Sequence, residues 1–88
     1  MELKKVQYFL KIVEAGSLSR AAEQLYLTQP TLSRFLAKLE EEAGTKFFSR
    51  GRDNSLSLTA DGLIYLEAAR RIDVLWNEMQ ADLQQERD

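Results

Sequence analysis

Cysteine and histidine are both absent from the 88 residues of the chain. The lack of cysteine excludes a disulfide framework and a thiolate metal site, and the lack of histidine removes the commonest general base and metal ligand. No apolar run approaches the roughly 20 residues that a membrane-spanning helix needs. The first ten residues, MELKKVQYFL, are too polar for a signal peptide. We therefore expect a cytoplasmic protein that is not an enzyme and needs no metal or other cofactor.

Proline and glycine are also scarce, with one and four residues respectively, and several of them stand where helices begin or end. Gly16 and Gly44 each follow apolar residues spaced by three and four, as at a helix C-terminus that a left-handed glycine ends. Pro30 follows Thr28, a favoured N-cap residue, where the missing proline N–H would be unpaired in any case. The first helix is predicted over residues 2–15, and its apolar stripe is Leu3, Val6, Phe9, Leu10 and Val13.

The stretch from Ser17 to Ala43 contains two helical patterns joined by a short polar link at residues 27–30. The residues predicted to be buried are Leu18, Ala21, Ala22 and Leu25 in the first helix, and Leu32, Leu36, Leu39 and Ala43 in the second. Two helices that meet at so short a turn indicate a helix-turn-helix, over about residues 18–37. The second helix of such a motif is suited to a DNA major groove.

The outward face of the second predicted helix is polar and small near its N-terminus. Its residues are Gln29, Thr31, Ser33, Arg34, Ala37 and Lys38. Glutamine can pair with adenine, arginine with guanine or phosphate, and threonine can touch a thymine methyl group. The three carboxylates at 40–42 would instead be repelled by phosphates. We predict that the N-terminal half of this helix reads DNA; the alternative is an ordinary solvated face.

Ser17 is the predicted N-cap of the first helix of this motif. Ser19 and Arg20 lie in the turn that follows, where free backbone N–H groups and the helix dipole favour a phosphate. We expect Ser17 and Ser19 to contact the DNA backbone. Capping alone would also explain Ser17, and the two roles are compatible.

A short β-hairpin is predicted over residues 46–58. Residues 55–59 alternate polar and apolar side chains as a half-buried strand does, and 51–54 have the composition of a turn. Arg50, Arg52 and Asn54 would form the tip of a wing that reaches phosphates or a minor groove. The alternative is a solvated loop.

Thr59 and Asp61 predict the start of a long helix that continues to the end of the chain. A heptad stripe follows along it: Tyr65, Ala69, Ile72, Trp76, Met79 and Leu83. Leu63, Ile64 and Leu66 add a second apolar side that we expect to suit the core. Packing within the domain explains the first turns but not the last ones, so we predict a homodimer through the stripe.

The net charge of −2 is unevenly distributed. Residues 1–59 carry nine Lys/Arg and seven Asp/Glu, a net +2, and residues 60–88 carry three and seven, a net −4. The basic groups therefore lie with the predicted helix-turn-helix. This is a weak electrostatic footprint for a nucleic-acid binder, and by itself it does not argue for DNA.

The order of these patterns resembles the N-terminal DNA-binding domain of LysR-type transcriptional regulators. The resemblance extends over essentially the whole chain. The segments that carry it are FLKIVEAGSLSRAAEQL at 9–25, TQPTLSR at 28–34, LEEEAG at 39–44, KFFSR at 46–50 and LTADG at 58–62.

This resemblance implies a mainly α fold, a winged helix-turn-helix of three helices and a short hairpin over residues 1–59, with a linker and dimerisation helix over 60–88. It implies double-stranded DNA as the partner, with an interrupted palindrome as the operator. By resemblance, the DNA contacts fall on Gln29, Pro30, Thr31, Ser33 and Arg34, with Thr28 as the cap and Arg50 and Arg52 in the wing.

The family normally carries an effector-sensing domain beyond this region, which these 88 residues do not include. We therefore expect no small-molecule site and no membrane contact in this chain. A full-length protein could form either a dimer or a higher oligomer. The alternative function is a winged-helix module that binds protein through the 76–83 stripe or Phe35. Such a module would have no DNA role, and this function would be consistent with the net charge of −2.

Overall fold

The computed structural model describes residues 2–53 and 55–87, which form four helices and one antiparallel hairpin. The elements, in chain order, are α1 (Leu3–Ala15), α2 (Leu18–Gln24), α3 (Gln29–Ala43), β1 (Phe48–Arg50), β2 (Leu56–Leu58) and α4 (Ala60–Arg87). The predicted mainly α class, with three helices, a wing and a long final helix, is confirmed. Within the described residues, no helix is both long enough and apolar enough to cross a membrane.

The helix ends follow the local signals of the sequence. Gly16 and Gly44 both have a φ of 75° and close α1 and α3 in the left-handed conformation. Ser17 accepts a hydrogen bond from the Arg20 N–H at 3.2 Å, and Thr28 accepts one from the Thr31 N–H at 3.3 Å. These caps satisfy backbone donors that have no partner within their own helix.

The turn between α2 and α3 lies earlier in the chain than predicted. It consists of residues 25–28, whereas the predicted link was 27–30. The predicted start of the second helix is confirmed: Thr28 caps α3, and Gln29 and Pro30 belong to its first turn, where proline is tolerated because its ring fits the helical φ. The consequence is that Gln29 has a fixed helical position.

The core contains one buried stripe from each of the first three helices, the start of the hairpin and one side of α4. Its members are Val6, Phe9, Ile12, Leu18, Ala21, Ala22, Leu32, Leu36, Leu39, Phe47, Phe48, Leu66 and Ala69. Phe9 lies at its centre, with ring centroids 5.7 Å from Phe47, 5.3 Å from Phe48 and 4.4 Å from Tyr65. Ile12 is fully buried although the predicted stripe of α1 did not include it.

Three predictions of burial are wrong. Ala43 is exposed because it is the last residue of α3 and lies beyond the packed part of that helix. The contact of α4 with the domain consists of Gly62, Tyr65, Leu66, Ala69 and Ile72, and Leu63 and Ile64 are exposed because they lie outside it. Their side chains project from other faces of the helix.

Glu40 also differs from its prediction as part of an exposed acidic end of α3. Its side chain is buried, with 7% of the residue exposed, and its Oε2 accepts hydrogen bonds from the backbone N–H groups of Phe47 and Phe48. Glu42 instead pairs with Lys5 at 3.1 Å on the surface. Only part of the acidic run therefore behaves as free surface charge.

The start of α4 is fixed to the start of the hairpin through Thr59. Its hydroxyl donates to the Lys46 carbonyl at 2.6 Å and accepts from the Gly62 N–H at 3.0 Å, so the predicted cap is confirmed. The Thr59 N–H donates to the Phe47 carbonyl at 2.9 Å. Gly62 packs so closely on Phe47 that a Cβ at this position would collide with the carbonyl oxygen.

Replacing Gly62 with alanine should lower the free energy of unfolding by roughly 1–3 kcal/mol, because the added methyl must displace backbone. Gly51→Ala is the matched control, since the nearest atom to its new methyl would be the hydroxyl of Ser55, which can rotate away. Urea unfolding followed by circular dichroism measures both variants. Equal losses would contradict the close approach of α4 and the hairpin.

Candidate nucleic-acid interface

The N-terminal turn of α3 presents a row of exposed polar groups. Thr28, Gln29, Pro30 and Thr31 are all exposed. The Thr28 hydroxyl donates to the Thr31 hydroxyl at 2.8 Å while it accepts the Thr31 N–H. The cap therefore also fixes the Thr31 side chain.

Arg34 stands one turn further along α3. It is exposed, and its Nη2 lies 3.4 Å from the Thr31 hydroxyl oxygen. This weak contact orients the guanidinium toward the N-terminal end of the helix and leaves most of its donors free. Lys38 is exposed too, but it lines a different depression, of about 310 Å³, together with Phe35 and Lys4 of α1.

A cleft of about 640 Å³ separates the helix-turn-helix from the hairpin. The N-terminus of α2 contributes Ser17, Ser19 and Arg20 to its lining, α3 contributes Gln29, and the hairpin contributes Arg50. Four predicted DNA-contacting residues, Ser17, Ser19, Gln29 and Arg50, thus meet at one concave surface although they are up to 33 positions apart in the sequence.

Backbone hydrogen bonds hold the hairpin beside this cleft. β1 and β2 pair in the register Phe48↔Leu58, Ser49↔Ser57 and Arg50↔Leu56. The Leu56 N–H donates to the Gly16 carbonyl at 3.2 Å, which joins the outer edge of the hairpin to the loop before α2. Arg50 therefore lines the same cleft as the α2 N-terminus.

On the other side of the hairpin, α3 and β1 enclose a second cleft of about 380 Å³. Its lining includes Ser33 and Arg50, with Glu40 and Lys46 at its far end. Ser33 is half-buried there, so less of its side chain is accessible than that of its neighbour Arg34. The hairpin therefore packs along the same face of α3 that carries part of the predicted reading surface.

The tip of the hairpin also carries a negative charge that the predicted site did not include. Asp53 lines the larger cleft, and its Oδ1 accepts the Ser55 N–H at 3.1 Å. Hydrogen bonds from Ser55, first from its hydroxyl and then from its backbone N–H, lower the pKa of Asp53. An aspartate two residues before a serine in a turn is the signal that would have found this contact. Arg52 is exposed beside it, and Asn54 lies outside the described residues.

Phe35 faces α1 rather than the cleft. Its ring meets that of Tyr8 edge-on with centroids 5.1 Å apart, and the ammonium of Lys4 lies 5.3 Å from the centroid of the same tyrosine. This packing explains how a large aromatic side chain can occupy the middle of α3. It also leaves Phe35 only half-buried.

The predicted dimer stripe of α4 divides into two parts. In the single chain Ala69 is 1% exposed and Tyr65 and Ile72 pack against the core, so these three residues already contribute to the domain's own packing. Trp76, Met79 and Leu83 are exposed large apolar residues. Leu75 is exposed too, and the predicted stripe did not include it although it stands three residues after Ile72 and four before Met79.

Comparison with protein families gives a match over residues 3–63 to the bacterial regulatory helix-turn-helix proteins of the lysR family. The chain is 35% identical over 72 residues to the HTH-type transcriptional regulator BsdA of Bacillus subtilis, which covers 82% of this chain. It is 38% identical over 84 residues to the HTH-type transcriptional regulator XapR of Escherichia coli, which covers 96%. These alignments include 25% and 28% of the relatives, so the chain spans about a quarter of the length of the curated relatives it matches.

Solved structures give the same result for the fold. The crystal structure of the CbnR_DBD–DNA complex is similar at a TM-score of 0.85 with 32% identity, and the match covers 100% of both chains. That of the BenM_DBD/benA site 1 DNA complex is similar at a TM-score of 0.87 with 32% identity, over 97% of this chain and 94% of the other. Both of these relatives were crystallised with DNA.

The turn before α3 contains a backbone conformation that is unfavourable for its residue. Tyr26 has a φ of 58°, and its side chain is 96% exposed, so little packing offsets the left-handed conformation. Tyr26→Gly should raise the free energy of unfolding by about 0.5–1 kcal/mol, because glycine removes the Cβ conflict and loses part of that gain to its greater unfolded-state entropy. Urea unfolding measures the gain.

Tyr26→Ala is the control for this substitution. It removes the ring but keeps the Cβ, and it should leave the stability near that of the parent protein. A gain of equal size in both variants would show that the exposed ring, and not the backbone, is unfavourable.

Proposed function

Because the chain belongs to the lysR family of bacterial regulatory helix-turn-helix proteins, we propose that it is the DNA-binding module of a transcription regulator. It binds specific double-stranded sequences as a dimer, with residues 1–59 as the winged helix-turn-helix and 60–88 as the linker and dimerisation helix. The observation that carries this proposal is the shared cleft of the α2 N-terminus, the α3 N-terminus and the wing arginine Arg50.

The recognition helix α3 enters the major groove with its N-terminal end first. Gln29 and Arg34 are the base-reading candidates, because a glutamine amide can pair with adenine and a guanidinium with guanine. The small side chains of Pro30, Thr31 and Ser33 lie around them and allow the helix to approach the bases closely. The capped turn supports this assignment, since Thr28 fixes Thr31 and Thr31 contacts Arg34 before any DNA is present.

Phosphate contacts hold the module in register on either side of that groove. Ser17 and Ser19 stand at the N-terminus of α2, where backbone N–H groups and the helix dipole favour an anion. Arg50 and Arg52 of the wing bind the backbone or the adjacent minor groove, and Lys38 binds phosphate at the other side of α3. These local contacts allow a chain of net charge −2 to bind a polyanion, since seven of its 14 carboxylates lie in residues 60–88.

The second copy of the module is held through α4. Trp76, Met79 and Leu83, with Leu75 beside them, form an exposed apolar face that continues the stripe packed on the domain as far as Ile72. A homodimer that buries this face presents two recognition helices, which suits an interrupted palindrome.

A protein-binding module without a DNA role has less support. Phe35, one of its two proposed contact points, packs on Tyr8. The family comprises regulators and not a class of enzymes, and we infer that the chain acts by binding, in the cytoplasm.

Selection on a random duplex library with the parent protein should yield a two-part DNA site. Gln29→Ala should weaken binding to that site by roughly 1–3 kcal/mol and relax the sequence preference at one base pair. Arg34→Ala should weaken specific binding similarly. Arg70→Ala and Gln80→Ala, exposed on α4, are the matched controls for loss of a charge and of an amide. Gel-shift titration at fixed salt measures all five proteins; Gln29 and Arg34 variants that bind like the parent would refute the assignment.

Sedimentation of the purified chain at tens of micromolar should show a dimer. Trp76→Glu should convert it to a monomer, because a carboxylate would be buried without a partner in the apolar face. Gln85→Glu adds the same charge on the opposite side of α4 and should leave the dimer intact. A parent protein that sediments as a monomer would refute dimerisation through this helix.

A further inference from the structure

The carboxylate of Glu40 joins the recognition helix to the base of the wing. Its Oε2 accepts the Phe47 N–H at 2.7 Å and the Phe48 N–H at 3.3 Å, and its Oε1 lies 3.7 Å from the Lys46 ammonium. The Lys46 side chain is mostly exposed, whereas that of Glu40 is buried. The two backbone N–H groups are therefore the main partners of this charge.

These two N–H groups belong to the residues that anchor the hairpin. Phe47 and Phe48 are buried against Phe9 in the core, and Phe48 is the first residue of β1. Arg50 is the last residue of that short strand, only two positions later. Because only Ser49 lies between them, a change in the backbone direction at Phe48 also changes the position of Arg50.

Glu40 and the reading residues share one rigid element. Arg34 and Glu40 lie six residues apart on α3, and both Ser33 and Glu40 line the cleft that Arg50 closes from the other side. The hydrogen bonds of Glu40 therefore fix the wing relative to the part of α3 that carries the base-reading groups.

We propose that Glu40 is a positioning residue for DNA binding, which sets the distance of the wing arginine Arg50 from the recognition helix so that both engage one DNA half-site. This inference rests on the proposed function. Loss of the Glu40 carboxylate should therefore affect the DNA contact of Arg50. It should not affect that of Arg34, because Arg34 is held in place by α3 itself and not by the hydrogen bonds of Glu40.

Substitutions of Glu40 can separate the effect of its hydrogen bonds to the Phe47 and Phe48 N–H groups from the effect of its negative charge. A glutamine at position 40 keeps a carbonyl oxygen that can accept both N–H groups, although it lacks the negative charge. Alanine and methionine supply no acceptor, and methionine keeps much of the buried volume. Glu40→Gln should therefore preserve the wing contact, while Glu40→Ala and Glu40→Met should lose it.

A double-mutant cycle tests the proposal with the full chain and a duplex selected by the parent protein. Arg50→Ala should weaken binding about tenfold in the parent protein but less than about twofold in Glu40→Ala, because the wing contact is already lost there. Arg34→Ala should weaken binding by the same factor in both backgrounds. Titrations are made well below the melting temperature of each variant, which circular dichroism supplies.

The salt dependence of binding is a second readout, which a loss of global stability does not change. Glu40→Ala should reduce the slope of log affinity against log salt by about one unit, as Arg50→Ala does, and the double variant should show no further decrease. Glu40→Gln should keep the parent slope. Should Glu40→Ala fail to fold, Glu40→Met takes its place in the cycle with the same expected values.

The outcomes are distinguishable. Additive effects of Glu40→Ala and Arg50→Ala, or an Arg50→Ala variant that binds like the parent, would overturn the positioning role while the DNA-binding function stands. An equal loss of the Arg34 and Arg50 contributions in Glu40→Ala would reduce Glu40 to a stabilising residue and also overturn it. A parent protein that binds no duplex at low salt would refute the proposed function instead.

Discussion

The fold depends on one short segment, residues 46–48, which is held from two sides. Glu40 of α3 accepts the N–H groups of Phe47 and Phe48, and Thr59 at the start of α4 uses its hydroxyl and its N–H on the carbonyls of Lys46 and Phe47. Buried backbone groups need such partners. Because this one segment is bonded to both α3 and α4, it fixes the arrangement of three parts: the wing, the recognition helix and the long helix. No single hydrophobic contact would define this arrangement.

The surface proposed to read DNA has the opposite character. Gln29 and Arg34 are exposed and have few contacts with the domain, whereas the backbone that carries them is capped, closed at Gly44 and packed through Leu32 and Leu36. A rigid frame with free side chains suits sequence recognition, since little order has to be created on binding. The same residues could change without loss of the fold, because none of them is part of the core.

The predictions that the structure confirmed rest on local signals. Ser17, Thr28 and Gly16 act within one helical turn of their own position, so their neighbours in the sequence suffice to define their roles. Leu63 and Ile64 were wrongly predicted because helical periodicity defines apolar faces without indicating which one meets the core. The meeting of the α2 N-terminus, Gln29 and Arg50 in one cleft depends on long-range packing. So do the roles of Glu40 and Gly62.

The attachment of α4 to the domain from Thr59 as far as Ile72 has a mechanical consequence. Residues 73–87 extend beyond that contact by about 22 Å, so a tilt of roughly 5° at Ile72 displaces the far end of α4 by about 2 Å. Conversely, a force applied near Leu83 acts through this projecting part on the contact of Ala69 and Ile72 with the core. With no glycine or proline after Gly62 to absorb bending, α4 transmits rotation as a stiff rod.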